Sequence, residues 1–198
     1  MNYVLNDYTK SNFALLLKPF ENSIEDVIKI TKAFSLANKI HLNKFLDGNK
    51  LEPYINHPIR VALILSEELK LKDIDLIIAA LLHDVFYEKY SNGIAFVDLK
   101  TLVGDNIGNI IKTVTVPKIS NDEKLLNEYY QKISKSSKII RYIITADRLD
   151  TIRFLKNKGY KEKSQRYKEE TQKYIIPIAD KTDDGICFKL SIALYELK

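Results

Sequence analysis

The stretch Ala79-Ala80-Leu81-Leu82-His83-Asp84-Val85-Phe86-Tyr87-Glu88 constrains the fold more than any other part of the chain. From Asp73 to Tyr90 the apolar residues Ile74, Ile77, Ile78, Leu81 and Val85 recur at helical spacing with no Gly or Pro between them, which predicts a mostly buried helix. In that frame Asp84 and Glu88 lie one turn apart on one face, and His83 converges with Asp84 on one small centre. An imidazole beside a carboxylate at the end of an apolar helix suits a divalent metal. The alternative is that each side chain is satisfied by local hydrogen bonds.

The rest of the composition fits a helical setting for that stretch. With 45% hydrophobic and 29% charged residues but only 6 Gly and 5 Pro, the 198-residue chain reads as one folded, helix-rich domain, not a disordered chain or a sheet sandwich. The single Cys187 rules out an internal disulfide and a thiolate zinc cluster, so a metal site here is built from His and carboxylates. Residues 1–20 lack a signal-peptide pattern and no apolar run approaches the ~20 residues of a membrane span, so a cytoplasmic protein is expected. Net charge is +5, yet 31 basic residues are interspersed with 26 acidic ones. That pattern suits a small polyanion such as a nucleotide; neither a nucleic acid nor a membrane surface is expected as a partner, and the oligomeric state stays open.

Residues 1–22 are expected to form an extension packed on the core through Phe13–Leu17, and residues 23–198 the main domain. Ser23 is an N-cap for a helix running to about Asn38, and residues 41–56 read as a loop or two short turns. Pro58 is suited to a first helical position, so a helix over 58–69 is predicted with His57 at its mouth. Short helices are predicted over 97–103 and 107–114, parted at Gly104. A weak stripe follows at Leu125, Leu126, Tyr129 and Tyr130, and then a strong helix over 137–156 with Asp147 in its buried stripe. A helix over 161–180, bent or ended near Pro177, and a closing one over 185–198 complete the chain.

Of three histidines, two sit at a helix mouth and a buried helix end; His41 is assigned to the core without a function. His57, His83, Asp84 and Asp147 supply two nitrogens and two carboxylates from three helices, a ligand set for one divalent ion with positions open to water and substrate. Mixed N/O ligation without thiolate is compatible with Mn²⁺, Fe²⁺ or Zn²⁺.

The order His57…His83-Asp84…Asp147 resembles the signature of the HD phosphohydrolase superfamily. Pro53-Tyr54-Ile55-Asn56-His57-Pro58-Ile59-Arg60-Val61-Ala62, Ala79–Val85 and Ala146-Asp147-Arg148-Leu149 resemble the hydrolase domain of RelA/SpoT-type proteins and the small alarmone hydrolases, and Tyr174–Ala179 matches a later segment of the longer members. The likeness covers roughly residues 25 to 180. It implies an all-α, HD-type helical bundle that uses Mn²⁺ to remove the 3′-pyrophosphate from (p)ppGpp, giving GDP or GTP and pyrophosphate. The chain is too short to add a synthetase domain. Where the family carries Glu-Asp after the HD pair, this chain reads Tyr87-Glu88, so the resemblance leaves Glu88 as the proton acceptor for the attacking water. Thr151 stands where the family has an Asn that contacts the nucleotide, and offers a hydroxyl. Leu46 stands where an Arg packs on guanine, with Lys44 and Lys50 nearby, and Lys50 is taken as a phosphate contact. The lost Arg keeps an adenine alarmone or NADPH open as substrate. Tyr87 keeps open a catalytically weak, alarmone-binding regulator.

Overall fold

The computed structural model describes residues 5–46, 52–116, 122–158 and 161–197. These are all-α: apart from one isolated bridge between Phe45 and Pro53, no strand pairing occurs among them. The chain forms two compact units, residues 1–115 and 116–198.

In the first unit the helices are α1 (Asp7–Leu17), α2 (Ile24–Ile40), α3 (Asn56–Leu63), α4 (Ile74–Leu82), α5 (Phe96–Val103) and α6 (Asp105–Val114). Ser23 caps α2 by accepting the Asp26 N–H at 3.4 Å. Helix α1 packs on α3, and Phe13 stacks on Phe34 of α2 at 4.0 Å. The Thr9 hydroxyl, buried under α1, donates to Asn56 Oδ1 at 2.7 Å, so the first helix braces the start of α3. Helix α4 is the centre of the unit: every residue from Leu76 to Leu82 is buried, and α2, α3 and α6 pack against it. Fully burying one large aliphatic side chain is worth about 1.5–3 kcal/mol, so this element anchors the unit. Gly104, at φ 85°, joins α5 to α6 in a conformation that an L side chain rarely adopts.

Two expectations change here. Helix α3 begins at Asn56, not Pro58. It ends in a π-helical turn over Ile64–Glu68, where Leu69 N–H reaches Ile64 O at 3.0 Å, and Lys70 closes it at φ 57°. The helix predicted over 73–90 stops at Leu82. Beyond it, Val85 N–H bonds Leu82 O at 3.2 Å, Tyr87 N–H bonds Asp84 O at 2.8 Å and Tyr90 N–H bonds Tyr87 O at 2.9 Å, a run of tight four-residue turns. The Ser91 hydroxyl takes Val85 O at 2.6 Å, a carbonyl that a continuing helix would give to residue 89. Periodicity continued past the helix because Val85 is still buried, in a turn.

The second unit holds α7 (Glu123–Ser134), α8 (Lys138–Lys158), α9 (Lys161–Glu170), α10 (Ile176–Asp180) and α11 (Asp184–Glu196). The bend foreseen at Pro177 is a π-helical turn over Thr171–Ile175: the Ile176 N–H reaches back to Thr171 O, and Pro177, which has no N–H to offer, falls in the first turn of α10. Arg148 of α8 is buried and fully occupied. Its guanidinium donates to Thr171 Oγ1 at 3.1 Å, to the Tyr130 hydroxyl at 2.8 Å and to Glu170, and it lies 4.9 Å from the Tyr167 ring centre. Burial alone pushes the Glu170 carboxyl upward, but the Arg148 charge and hydrogen bond and the Tyr130 hydroxyl outweigh it, so the group is held below the usual carboxylate range.

A lowered folded-state pKa gives stability that is present above the ordinary Glu value of about 4.3 and is lost as pH falls through the folded value. Glu170→Gln is therefore expected to destabilise the protein by roughly 3 kcal/mol at neutral pH, since it leaves a buried guanidinium uncompensated. The gap to the parent, measured by urea unfolding as a function of pH, should close as the solution becomes strongly acidic.

Candidate metal centre

The centre of the first unit is assembled where α3 begins and α4 ends. His57 lies in the first turn of α3, its backbone N–H bonded to Tyr54 O at 2.9 Å, and the following Pro58 lacks an N–H that a helix start would leave unsatisfied. His83 caps α4. Its Nδ1 donates to Ala80 O at 2.8 Å, which turns Nε2 toward Asp84 Oδ2, 3.2 Å away. His57 Nε2 faces the same carboxylate oxygen at 3.6 Å, and the two imidazole rings meet edge to face at 5.2 Å. Side-chain exposure is 7% for His57, 4% for His83 and 20% for Asp84, so only the carboxylate has an open edge.

The structure brings His57, His83 and Asp84 together. Burial works to raise the Asp84 carboxyl, but the charge and hydrogen bond of His83, the charge of His57 and the Tyr54 hydroxyl pull it well below the usual range. Two imidazole nitrogens aimed at one carboxylate oxygen are favourable only with a cation among them, either a proton or a metal ion. An N,N,O donor set of this kind fits a divalent metal.

Asp147 and Thr151 lie one turn apart on α8 in the second unit, the Thr151 hydroxyl 3.5 Å from Asp147 Oδ1. Asp147 is half-buried, not wholly inside the apolar stripe, whereas Arg148 and Asp150 beside it are buried. Glu88 is exposed, in the turns after α4; the helical face that was to pair it with Asp84 does not form. Lys50 lies outside the described residues.

Sequence reasoning passed over Tyr54, Tyr90 and His41. The Tyr54 hydroxyl donates to Asp84 Oδ2, and its ring stacks on Tyr90 at 4.0 Å. His41 is buried with its Nδ1 2.5 Å from Tyr90 O and its ring 5.0 Å from that of Tyr54, while its Nε2 meets no hydrogen-bond partner among the described residues. Burial pushes its pKa down, against the pull of the Tyr90 carbonyl and Asp84. Tyr54 sits within the quoted motif three residues before His57, and His41 is one of only three histidines; those were the available signals.

The sequence pattern of the HD domain matches residues 33–184. The chain belongs to the HD domain family. It is 31% identical over 154 residues to the guanosine-3′,5′-bis(diphosphate) 3′-pyrophosphohydrolase MESH1 of Xenopus tropicalis, covering 74% of this chain and 81% of that protein. It is 34% identical over 103 residues to the MESH1 of Drosophila melanogaster, covering 52% of this chain and 56% of that protein. A solved structure of a metazoan ortholog of SpoT, described as hydrolyzing ppGpp and playing a role in starvation responses, superposes with a TM-score of 0.74 at 26% identity, covering 85% of this chain and 94% of that one. Membership of this family implies dependence on a divalent metal. Among the described residues, no helix is long and apolar enough to cross a membrane.

A metal that binds only the folded chain stabilises it by mass action, about 2.7 kcal/mol at a hundredfold excess over Kd. Adding Mn²⁺ or Zn²⁺ to chelator-treated protein should raise the melting temperature. Asp84→Ala, which removes a charged ligand, should abolish both the rise and the bound metal seen by elemental analysis.

Proposed function

We propose that this protein is a metal-dependent phosphohydrolase that removes the 3′-pyrophosphate of (p)ppGpp, yielding GDP or GTP and pyrophosphate. The observation that carries this reading is the convergence of His57 and His83 on Asp84 within an HD domain that is 31% identical to MESH1. His57, His83, Asp84 and, from the Ala146-Asp147-Arg148-Leu149 motif, Asp147 hold the ion, which we take to be Mn²⁺. When bound, the ion supplies Lewis-acid polarisation and makes water a stronger acid. Glu88, exposed to solvent, takes the proton of the attacking water. Thr151 donates a hydroxyl hydrogen bond to the nucleotide, and Lys50 neutralises phosphate charge. The water oxygen bonds to the phosphorus next to the ribose, the bond from that phosphorus to the 3′-oxygen breaks, the 3′-oxygen takes up a proton to become a hydroxyl, and pyrophosphate leaves. In this reading the substrate is a cytoplasmic nucleotide, and neither nucleic acid nor membrane takes part.

A second reading rests on Tyr87, which stands where the family has a carboxylate: the protein then holds an alarmone and turns it over weakly or not at all. Incubation with Mn²⁺ and a panel of (p)ppGpp, an adenine alarmone and NADPH, resolved by anion-exchange chromatography, separates the two. GDP or GTP from (p)ppGpp supports the hydrolase; nucleotide retained without product under any metal supports the binder. Since general-base assistance is typically worth ~10²–10⁴-fold, Glu88→Gln should lower kcat by that order while leaving metal content and nucleotide affinity nearly unchanged. An unaltered kcat removes Glu88 from the mechanism.

A further inference from the structure

The Asp84 carboxylate is reached by three side chains, and one of them, Tyr54, is not an imidazole. His83, its Nδ1 committed to Ala80 O, reaches Asp84 Oδ2 through Nε2 at 3.2 Å. The carboxylate is 20% exposed, so solvent lies on one side for it to swing toward. What opposes that swing is the hydroxyl of Tyr54, which donates to the same oxygen.

Tyr54 is itself held on several sides. Its backbone N–H bonds Lys44 O at 2.9 Å and its carbonyl accepts the His57 N–H at 2.9 Å, which joins its position to the first turn of α3. The ring is 3% exposed, lies nearly parallel to Tyr90 (14° at 4.0 Å) and is flanked by His41 at 5.0 Å and His57 at 5.7 Å. Tyr90 in turn is clamped by the His41 ring on its carbonyl, and the Asn92 N–H after it bonds Ile40 O at 2.9 Å. The hydroxyl therefore has one direction in which to point.

We propose that Tyr54, seated on Tyr90 and His41, is the positioning residue of the metal centre: its hydroxyl holds the Asp84 carboxylate facing His57 and His83 before a divalent ion arrives. The proposal rests on the reading of His57, His83 and Asp84 as metal ligands. Partners that orient ligands from behind typically change metal affinity by 10–100-fold when removed.

The test is competition for Mn²⁺ and for Zn²⁺ between the full chain and a fluorescent chelator, paired with melting curves in excess chelator. Tyr54→Phe removes the hydroxyl and keeps the ring stack, so its metal Kd should rise by roughly 10–100-fold with metal-free melting unchanged, and turnover should return at saturating metal. Tyr90→Leu keeps the hydroxyl but removes the ring it leans on, and should weaken metal binding in the same direction by less; it decides the matter if Tyr54→Phe does not fold. Metal affinity equal to the parent's in the folded variants, or a loss only in proportion to metal-free stability, overturns the proposal. A parent chain that binds neither ion overturns the metal-site reading beneath it.

Discussion

Total burial of α4 is the constraint on which the rest of the first unit depends. Seven consecutive residues, Leu76 to Leu82, have no solvent-facing side, so other helices must close around them. The cost falls at the end, where His83 and Asp84 are delivered into surroundings that punish unpaired polar atoms. Each neighbouring feature answers that cost. Ala80 O takes one nitrogen of His83, the start of α3 brings His57 to the carboxylate, and Tyr54 supplies a hydroxyl. The packing core and the polar centre are two ends of one element.

In the second unit a buried charge plays a comparable part by different means. Arg148 is satisfied by Glu170, Tyr130 and Thr171, which come from α9, α7 and the π-helical turn, so one guanidinium ties four segments of chain together. Its place next to Asp147 means that the turn of α8 carrying the Asp-Arg-Leu motif is anchored on the side away from that carboxylate. Within the motif Arg148 is buried in its ion pair, while Asp147 is half-buried and faces the Thr151 hydroxyl.

Much of this was legible in the sequence because caps and periodicity are local. Ser23, Gly104 and the apolar stripes of α2, α4 and α8 act within a turn or two of themselves, and the helices formed where these signals pointed. The misreadings share a cause. Helix α4 was extended to Tyr90 because Val85 continues the pattern, yet its end is decided by the Ser91 hydroxyl competing for a carbonyl six residues earlier. The π-helical turns leave no compositional trace, since one extra residue per turn changes spacing and not chemistry. His57, His83 and Asp84 were found by residue type and order. Tyr54 and His41 were not, because a tyrosine and a histidine in apolar company look like core until their polar atoms are placed.

The turns after α4 are tethered mainly through atoms that every residue possesses or that lie outside the exposed segment. Val85, Tyr87 and Tyr90 are linked by backbone bonds, Tyr90 is held by its carbonyl, and Asn92 and Ser91 fasten the far end. The side chains of this stretch pack on their neighbours: Phe86 lies 6.2 Å from the Phe96 ring, Tyr87 meets Tyr90 edge to face at 5.4 Å, and the Lys89 ammonium sits 4.8 Å from the Tyr90 ring centre. Backbone bonds set the path of the chain here, and Tyr87 and Lys89 both lean on the Tyr90 ring. A change at position 87 therefore reaches, through the Tyr90 ring, the face on which Tyr54 rests, so the exposed rim and the buried carboxylate are joined by a column of aromatic rings.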